Sequence, residues 1–571
     1  MSNKQIGNSL ISSNSIKAQG PISLNSRKNK RTLLFILLIL ICALPAIRSL
    51  LYPGFFPSMD GHLHVYRSIE LKKALVEGHF PVRWGANYAQ GFGLPIYNFY
   101  SPLFFYLVGA FSWLSLTFLG ATKLVLILNI VLAGIFMFLL ARQLWGNWGG
   151  AVSSILYIYT PYLFVNIYVR GAFPEALTFA LIPLVFWSFY QLSQTKKSRY
   201  FFLSGLALAL LPLAHNFLSM VTAPFLGLFL LILYRQSKQK IIFLPAILGL
   251  ISSAFFWLPV LLEKKYLLPS VFTENYDFRD SFLYLKQLFY SPWGFEGNVK
   301  GPDDGMSFMI GFPLIFLILL GLLAKHRLKK QASKLLIFFL GSFCLAVLMT
   351  LGVSRFIWEL IPLLHVAQFP WRFLVLVVFF ASLIAGASLK LVKKNSRPLA
   401  SLIIIGLTLA LNYSFARPKE ITLNLEDRHY SGHHLGIPRA PVIGDDFSPR
   451  WVKTLPDKPA QNQIDPNEVI QNPNFSSHRY SFNTNLSQET DLKINTLYFP
   501  GWQAWIDDQI TEVKITENGL MEIEVPAGDH QVKIEFKETA LRKTANWISM
   551  GSLIMLLTLT LSLRFFNRRE V

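Results

Sequence analysis

Thirteen long apolar runs constrain the fold of this chain more than any other feature of its sequence. Most approach the roughly 20 residues that a helix needs to cross a bilayer. Because the hydrocarbon core offers no water to backbone polar groups, such runs are expected to be helical. The composition agrees, since 53% of the residues are hydrophobic and only 15% are charged. The sequence therefore predicts an α-helical polytopic membrane protein. The runs lie at residues 32–52, 101–119, 123–142, 150–168, 174–193, 200–215, 217–234, 241–262, 307–324, 334–352, 371–391, 398–416 and 546–566.

The net charge of +21 comes largely from basic residues grouped in short segments between the runs or after the last one. This is the positive-inside pattern of cytoplasmic loops, so we expect an inner (plasma) membrane location and no nucleic-acid partner. The pattern places residues 264–306, 353–370 and 417–545 outside the cell membrane. The groups are Lys196, Lys197 and Arg199; Arg235, Lys238 and Lys240; Lys325, Arg327, Lys329, Lys330 and Lys334; Lys390, Lys393, Lys394 and Arg397; and Arg564, Arg568 and Arg569.

The number of spans follows from the positions of the two chain ends. Both ends are predicted to be cytoplasmic, which requires an even number of crossings, so one of the thirteen runs must fail. The weakest is 101–119, which begins Ser101-Pro102 and is expected to be interfacial or re-entrant. We therefore predict about 12–13 transmembrane helices. The predicted order along the chain is a disordered cytoplasmic tail at 1–31, a transmembrane module at 32–416 with an external loop at 53–100, and a last helix with a basic tail at 546–571.

Ionisable and polar residues near the predicted outer ends of the runs form the candidate site. Any one such residue is usually a headgroup contact, but convergence from five separate segments predicts a cavity at the outer leaflet. The candidates are Asp60, His62, His64, Arg67, Arg170, Glu175, His215, Asn216, Glu263, Gln368 and Arg372.

The loop after the first run has helical spacing from Tyr66 to Gly78, with Val65 and Ile69 on one side. We expect this helix to lie on the membrane surface with its apolar side down, which would hold Asp60 at headgroup height. The stretch 91–95 has neither a preceding buried strand nor a Lys-Ser/Thr ending, so it is predicted to be a turn and not a nucleotide loop.

An ordered set of motifs resembles the bacterial membrane proteins called "6-pyruvoyl-tetrahydropterin synthase-related", over roughly residues 32–416. That family is similar to the C-type (GT-C) integral-membrane glycosyltransferases. The resemblance implies a GT-C-like fold, a polyprenyl-phosphate-linked sugar as donor and an acidic residue in the first external loop. The motifs are Asp60-Gly-His62-Leu-His64, Gly78-His-Phe-Pro81-Val-Arg83-Trp84, Gly91-Phe-Gly93-Leu-Pro95-Ile-Tyr97-Asn98-Phe99-Tyr100-Ser-Pro102-Leu103, Arg170-Gly171 with Glu175, Ala214-His215-Asn216, Trp257-Leu258-Pro259 with Glu263, and Phe369-Pro370-Trp371-Arg372.

Glycosyl transfer assigns roles to these residues. An acceptor hydroxyl loses a proton as it attacks the anomeric carbon, and Asp60 is the expected general base. The phosphate leaving group needs positive charge and hydrogen-bond donors instead of a strong acid. One displacement with inversion is the simplest expectation, with a membrane lipid, glycan or protein as acceptor. His62, His64 and Glu175 complete the expected catalytic set, and Arg67, Arg170, His215, Asn216, Glu263, Gln368 and Arg372 are expected to bind substrate.

Pterin synthase chemistry itself is not supported by the cysteines and histidines of the chain. It needs a zinc ion held by three histidines and a nucleophilic cysteine in a soluble fold. Cys42 and Cys344 both lie in apolar runs and are expected to be buried packing residues without a disulfide. No cofactor is certain, and a divalent metal ion at Asp60, His62 and His64 stays open as an alternative.

Residues 417–545 change character and are predicted to form an external domain, with a β-sandwich from about residue 473. The segment from Tyr498 to Asp507 resembles the external domain of the YfhO-like membrane family. Trp502 and Trp505 are candidates for stacking on sugar rings, although an aromatic residue in such a domain is more often part of the core. Apolar and polar residues alternate at Lys493–Phe499, Val513–Ile515, Leu520–Val525 and Gln531–Phe536.

Two other functions remain open at this point. A flippase or exporter of lipid-linked glycans would also be polytopic, but it should line its cavity with charge through the full membrane depth. A non-catalytic envelope assembly protein or sensor would tolerate the loss of Asp60.

Overall fold

The computed structural model describes residues 22–268, 277–430, 447–456 and 458–569. Helices fill the chain up to residue 415, strands follow between 464 and 536, and one last helix ends the chain, which confirms the predicted fold class. The helices are α1 Ile22–Ile47, α2 Gly61–Val76, α3 Ile96–Phe99, α4 Leu103–Ser112, α5 Phe118–Trp145, α6 Asn147–Ile158, α7 Pro161–Phe164, α8 Phe173–Thr195, α9 Ser198–Ala214, α10 Asn216–Ser237, α11 Phe243–Ser252, α12 Ala254–Glu263, α13 Leu285–Phe289, α14 Phe312–Leu323, α15 Lys330–Thr350, α16 Arg355–Leu360, α17 Leu374–Ala387, α18 Arg397–Asn412 and α19 Ala540–Arg569.

Eight helices of the described residues are long and apolar enough to cross a membrane, and two bent pairs bring the number to ten. The bends are 43° between α6 and the segment Pro161–Val169, and 60° between the segments Lys240–Ser252 and Ala254–Tyr266. The predicted 12–13 is therefore too high by this criterion. The runs at 200–215 and 307–324 form the shorter helices α9 and α14, of 17 and 12 residues. Run 101–119 yields only α4, of 10 residues, about half the length that a helix needs to cross a bilayer.

Glycine residues allow the closest helix crossings in the bundle. At the crossing of α6 with the central, fully buried α17, a Cβ on Gly149 would lie 2.8 Å from the carbonyl oxygen of Gly386. Between α9 and α11, a Cβ on Gly249 would lie 2.3 Å from the carbonyl oxygen of Gly205. Small residues of this kind let helix backbones approach, which is how apolar helices gain packing energy in a membrane.

The bundle has two chemically different ends. The basic end brings the Lys- and Arg-rich segments together, for example 324–327 against 388–390. The opposite end, which we call the loop end, holds residues 51–102, 264–268, 277–311, 351–369 and 413–430. Isolated backbone bridges join these loops, such as Phe55 to Thr422 and Leu283 to Leu351. Two of the predicted cytoplasmic basic segments therefore meet at one end of the bundle, and the cytoplasmic location of all five groups stays a prediction.

Three expectations about single segments were wrong. Helix α1 begins at Ile22, so the end of the predicted disordered tail is helical; residues 1–21 lie outside the described part. Helix α2 does not lie on a surface with one apolar side, because Tyr66, Arg67 and Glu70 are buried along with Val65 while Val76 is exposed. Cys42 is buried as expected, but Cys344 is exposed on the outside of the bundle.

The C-terminal strands form two antiparallel sheets in the orders β1-β4-β8-β7 and β2-β3-β9-β5-β6. The first strand begins at Ile464, earlier than the expected 473, and α19 begins at Ala540, earlier than 546. Trp502 is buried against Tyr480 and Trp84, which confirms its place in the core. The strands are β1 Ile464–Asp465, β2 Ile470–Phe475, β3 Arg479–Leu486, β4 Thr490–Leu497, β5 Trp502–Ile506, β6 Gln509–Thr511, β7 Lys514–Ile515, β8 Leu520–Val525 and β9 Gly528–Phe536.

Candidate active site

A break between two membrane helices brings Arg170 and the central carboxylate of the site, Glu175, close together. The chain after α7 continues as a π-helical turn, Val165–Val169, and α8 starts at Phe173. Arg170 follows the turn, and Glu175 lies in the first turn of α8, where the helix dipole favours a negative charge. Gly171 joins them with a φ of 66°, a conformation that favours glycine.

Glu175 is 1% exposed and lies at the centre of a polar group that we call the Glu175 cluster: Tyr162, Arg170, Glu175, His215 and Arg372, of which His215 and Arg372 are partly exposed. Its Oε2 is 2.9 Å from Arg170 Nη1, 3.4 Å from Arg372 Nε and 3.9 Å from His215 Nε2. The Tyr162 hydroxyl donates to Oε1 at 2.8 Å. Four segments of the chain therefore converge on one carboxylate.

The two arginines of the Glu175 cluster are held by aromatic rings and by further acceptors. Arg170 donates to the Asn166 side-chain oxygen, and its guanidinium lies 4.5 Å from the ring centre of Trp371. Arg372 donates from Nη1 to the carbonyl oxygen of Ala367 at 2.7 Å. Gln368, between Ala367 and Arg372, has a φ of 61°, so the backbone turns sharply before Arg372, and this turn sets the position of the arginine.

Asp60 lies directly beside this cluster because its backbone is hydrogen-bonded to the end of the π-helical turn at Val169 and Arg170, which we call the Arg170 turn. The backbone N–H of Met59 donates to the carbonyl oxygen of Val169 at 3.0 Å, and that of Asp60 donates to Arg170 at 2.8 Å. The Asp60 side chain is exposed, and no described residue forms a hydrogen bond or ion pair with its carboxylate. Backbone hydrogen bonds therefore fix the position of Asp60, and its carboxylate is accessible to a ligand.

Arg67 adds a third buried guanidinium on the same side. It is 5% exposed and lies 4.3 Å from the ring centre of Tyr100, and its Nε forms no hydrogen bond with any residue of the described ranges. The Tyr100 hydroxyl is within electrostatic reach of Arg67, Asp60 and Arg372. Nearby His62 is half-buried, and burial lowers its pKa while the Asp60 carboxylate acts to raise it.

Two predicted site residues, His64 and Asn216, lie outside the Glu175 cluster and are engaged in other contacts. His64 packs among the rings of Tyr100, Phe104, Phe105 and Phe173, and burial holds its pKa well below the ordinary value. The Asn216 side chain accepts a bond from the backbone N–H of Phe217 at the start of α10.

Glu263 lies in a different buried group. Its Oε2 is 2.9 Å from Arg542 Nε and accepts a bond from Asn98 Nδ2 at 2.6 Å. This contact ties α12 to α19 and involves no residue of the Glu175 cluster. Among the residues with described positions, no group of three or more His, Cys, Asp or Glu side chains could hold a metal ion, so a metal at Asp60, His62 and His64 lacks a ligand set.

Sequence reasoning missed four residues that support the charged groups: Tyr100, Tyr162, Asn166 and Trp371. Tyr100 and Trp371 lie within the family motifs, and Trp371 is next to Arg372, but the sequence assigned neither of them a role. Tyr162 and Asn166 follow the helix-breaking Pro161 by one and five residues. A proline in the middle of an apolar run is the signal that could have pointed to them, because broken helices in membranes often line sites.

Two family descriptions match this chain. The description "6-pyruvoyl-tetrahydropterin synthase related domain; membrane protein" matches residues 97–417, more than half of the chain. The description "Bacterial membrane protein YfhO" matches residues 453–546, which contain the β-sandwich. Both matches confirm the resemblances read from the motifs, although Asp60 and the rest of the loop up to residue 96 precede the first match.

Relatives and solved structures resemble parts of the chain. An uncharacterized protein of Lactococcus lactis subsp. cremoris (strain MG1363) is 25% identical over 261 residues, which are 43% of this chain and 42% of that protein. The apo-form oligosaccharyltransferase of Archaeoglobus fulgidus is 11% identical with a TM-score of 0.41, covering 67% of this chain and 55% of that chain. ArnT from Cupriavidus metallidurans bound to undecaprenyl phosphate is 14% identical with a TM-score of 0.36, covering 67% and 64%.

This chain thus spans less than two thirds of the length of each of these three proteins. Since the first family match covers more than half of the chain, the protein belongs to the 6-pyruvoyl-tetrahydropterin synthase related family of membrane proteins.

Proposed function

We propose that this protein is an integral-membrane glycosyltransferase of the C type, which moves a sugar from a polyprenyl-phosphate donor to an acceptor hydroxyl at the outer face of the membrane. In this proposal the loop end and the β-sandwich face outward, and the basic end faces the cytoplasm. The acceptor is a glycan, a lipid or a protein.

The observation that carries the proposal is an excess of buried positive charge beside a free carboxylate. Arg67, Arg170 and the largely buried Arg372 lie in this region, and its buried acid, Glu175, pairs with Arg170 and Arg372, while Arg67 forms no ion pair with a described residue. A buried guanidinium without a matching anion costs several kcal/mol, in the order of magnitude typical for desolvated charges. A phosphate group entering beside these arginines would relieve that cost, which favours an anionic lipid phosphate as ligand.

The proposed reaction is one displacement. The acceptor oxygen forms a bond to the anomeric carbon as the bond from that carbon to the donor phosphate oxygen breaks. Asp60 takes the proton of the acceptor hydroxyl, and the polyprenyl phosphate leaves with the bonding electron pair. Arg372 and Arg67 stabilise the departing phosphate, while Glu175 and Tyr162 hold Arg170 in position.

The distribution of buried charge favours a transferase over a flippase. The buried charged and histidine side chains of the described residues lie at the loop end, in the segment Arg170 to Glu175 that is hydrogen-bonded to it, or at the contacts with the β-sandwich, instead of following the membrane depth. They are His64, Arg67, Glu70, His79, Arg83, Arg170, Glu175, Glu263, His478 and Arg542.

The experiment is transfer from a panel of radiolabelled polyprenyl-phosphate sugars in membranes that contain the full chain or its Asp60→Asn variant. We expect the variant to lose a factor of about 10² to 10⁴ in rate, the usual contribution of a general base. Asp303→Asn is the matched control, because Asp303 is also exposed at the loop end and its side chain is in no described hydrogen bond.

Undiminished transfer by Asp60→Asn would reject the role of Asp60 as base. If the unmodified protein transfers sugar from none of the donors, the transferase proposal fails and the flippase alternative is favoured.

A further inference from the structure

A cavity lies outside the membrane helices, between the β-sandwich and the end of α2. It has a volume of about 540 Å³, within the range of roughly 300–1,000 Å³ typical of ligand sites. Lys73, Glu77, Asn87 and Gln90 line one wall, and residues 459–463 and 475–477 form most of the other. We call this cavity the interdomain cleft.

The cleft is lined by amide side chains that are held by their NH₂ groups. The Nδ2 of Asn87 donates to Glu70 at 2.6 Å, and the Nδ2 of Asn462 donates to Asp465 at 3.1 Å. These carboxylate acceptors fix which end of each amide is the oxygen. The carbonyl oxygen of each side chain accepts no hydrogen bond from any described residue, so it is available to a donor on a ligand.

Two further amides repeat the same arrangement. Gln463 donates from Nε2 to the hydroxyl of Thr496 at 2.8 Å, and Asn495 donates from Nδ2 to Asp465 at 2.7 Å. Their carbonyl oxygens are likewise without a donor in the described part of the chain. The cleft therefore presents a set of preorganised acceptors, which suits a ligand that carries many hydroxyl donors.

An aromatic ring lies beside these acceptors. Phe475 is 40% exposed, and its ring is supported edge-on by Tyr480 at a centroid distance of 5.6 Å. A supported, half-exposed ring of this kind offers a flat apolar face to the C–H side of a sugar. The charge of the lining is balanced between Lys73 and Glu77, which favours an uncharged ligand.

A peptide fits this lining less well. The strand nearest the cleft, β2, is an edge strand, but Pro473 lies within it and its pairing with β3 is irregular between Gln471 and Asn474. Proline and irregular pairing at an edge prevent the addition of another strand. The edge of β2 beside the cleft is therefore unable to pair with the backbone of a peptide.

The two walls of the cleft are fixed to each other. The backbone N–H of Ser477 donates to Glu77 Oε2 at 2.7 Å, and that of Leu497 donates to the carbonyl oxygen of Phe92 at 2.8 Å. Helix α2, of 16 residues, runs from Asp60 to this cleft and is about 24 Å long at 1.5 Å per residue. A sugar in the cleft is thus not the one that reacts at Asp60.

We propose that the interdomain cleft binds an uncharged oligosaccharide through the lining amides of residues 87, 90, 461, 462, 463 and 495 and the ring of Phe475. This goes beyond the proposed transfer reaction and does not depend on it. The cleft binds glycan whether or not the membrane site transfers sugar.

The test uses the full-length protein in detergent micelles on an array of neutral bacterial polysaccharides and their oligosaccharide fragments, followed by calorimetric titration of the best binder. We expect Phe475→Ala and the double variant Gln90→Ala/Gln461→Ala to bind at least tenfold more weakly. The side chains of Gln90 and Gln461 make no described hydrogen bond, so their removal should leave folding intact. Phe475→Tyr keeps a ring and should keep binding, which separates loss of contact from misfolding.

Two controls sharpen the result. Trp505→Ala removes a half-buried aromatic of β5, away from the cleft, and Asp60→Asn changes only the membrane site; both should bind like the unmodified protein. The proposal is overturned if no glycan binds, or if Trp505→Ala loses binding while Phe475→Ala keeps it. Capture of a peptide library that depends on Phe475, without any glycan, would assign the cleft to a peptide and also overturn it.

Discussion

Glu175 holds two guanidinium groups and an imidazole in a space from which water is nearly excluded. Replacing it in Glu175→Gln leaves Arg170 and Arg372 facing each other without an anion. Breaking a buried pair in this way costs about 3–5 kcal/mol, so we expect a clear fall in the thermal unfolding midpoint and the loss of transfer. The measurement is thermal unfolding of the purified protein in detergent.

The control is Glu359→Gln, because Glu359 also pairs with two arginines, Arg279 and Arg355, but all three are exposed. Exposed pairs contribute about 0–1 kcal/mol, so this variant should unfold close to the unmodified protein. Equal midpoints for Glu175→Gln and the unmodified protein would contradict the account of the Glu175 cluster.

For single residues, the sequence predicted which charged side chains lie near one another, but it predicted their individual roles less well. Arg170, Glu175, His215 and Arg372 do meet, because ionisable residues at span ends are too costly to bury unless they are paired. His64 was expected in the catalytic set, but α2 is helical from Gly61 and turns that side chain into an aromatic pocket. Side-chain direction depends on secondary structure, which a motif does not reveal.

Between elements, the decisive contact for the site is the one between the Arg170 turn and the start of α2. A Cβ on Gly171 would lie 2.3 Å from the backbone nitrogen of Gly61, and its φ of 66° is unfavourable for alanine. We expect Gly171→Ala to push α2 away, displace Asp60 and lower transfer at least tenfold, since small misplacements of a catalytic group are costly. Gly227→Ala is the matched control on α10, where a Cβ would meet open space. Equal transfer rates in the two variants would refute this positioning role.

The elements themselves were predicted unevenly for physical reasons. Hydropathy finds apolar runs but not where they bend, so the breaks near Pro161 and Ser253 and the short length of α14 were not foreseen. In the β-sandwich, β8 was predicted with its observed ends, because its alternation is clear. Strand β3 was missed although Tyr480, Phe482, Thr484 and Leu486 alternate inward, since Asn and Ser residues between them reduce its apolar signal.

Across the whole molecule, the β-sandwich is joined to the membrane module partly by a pair of stacked histidines, His79 and His478, whose ring centres are 4.8 Å apart. Burial lowers the pKa of His79 to about 3, and nearby His478, Arg83 and Arg542 act in the same direction. The unfolded chain, with a pKa near 6.5, binds the proton more readily. Stability from neutral His79 is therefore full above about pH 6.5 and is lost as the pH falls toward 3, by about 2 kcal/mol at pH 5.

The check is the unfolding midpoint between pH 7.5 and pH 5, compared with that of His79→Phe. The variant keeps an aromatic ring but cannot be protonated, so its midpoint should fall less steeply with pH. The same pH dependence in both proteins would show that His79 does not carry the effect.

Another contact between the β-sandwich and the membrane module runs through Arg542 of α19, which forms a buried ion pair with Glu263 of α12. The Arg542 guanidinium lies 5.3 Å and 5.1 Å from the ring centres of Phe499 and Phe536. Arg542→Met alone leaves the Glu263 carboxylate buried with only polar neighbours, so we expect it to destabilise the protein by about 3–5 kcal/mol. Glu263→Gln combined with Arg542→Met removes both charges and should recover much of that loss, as contacting residues are not additive. A double-mutant cycle on the unfolding midpoint measures this coupling, and strictly additive effects would mean that the pair does not hold the two domains together.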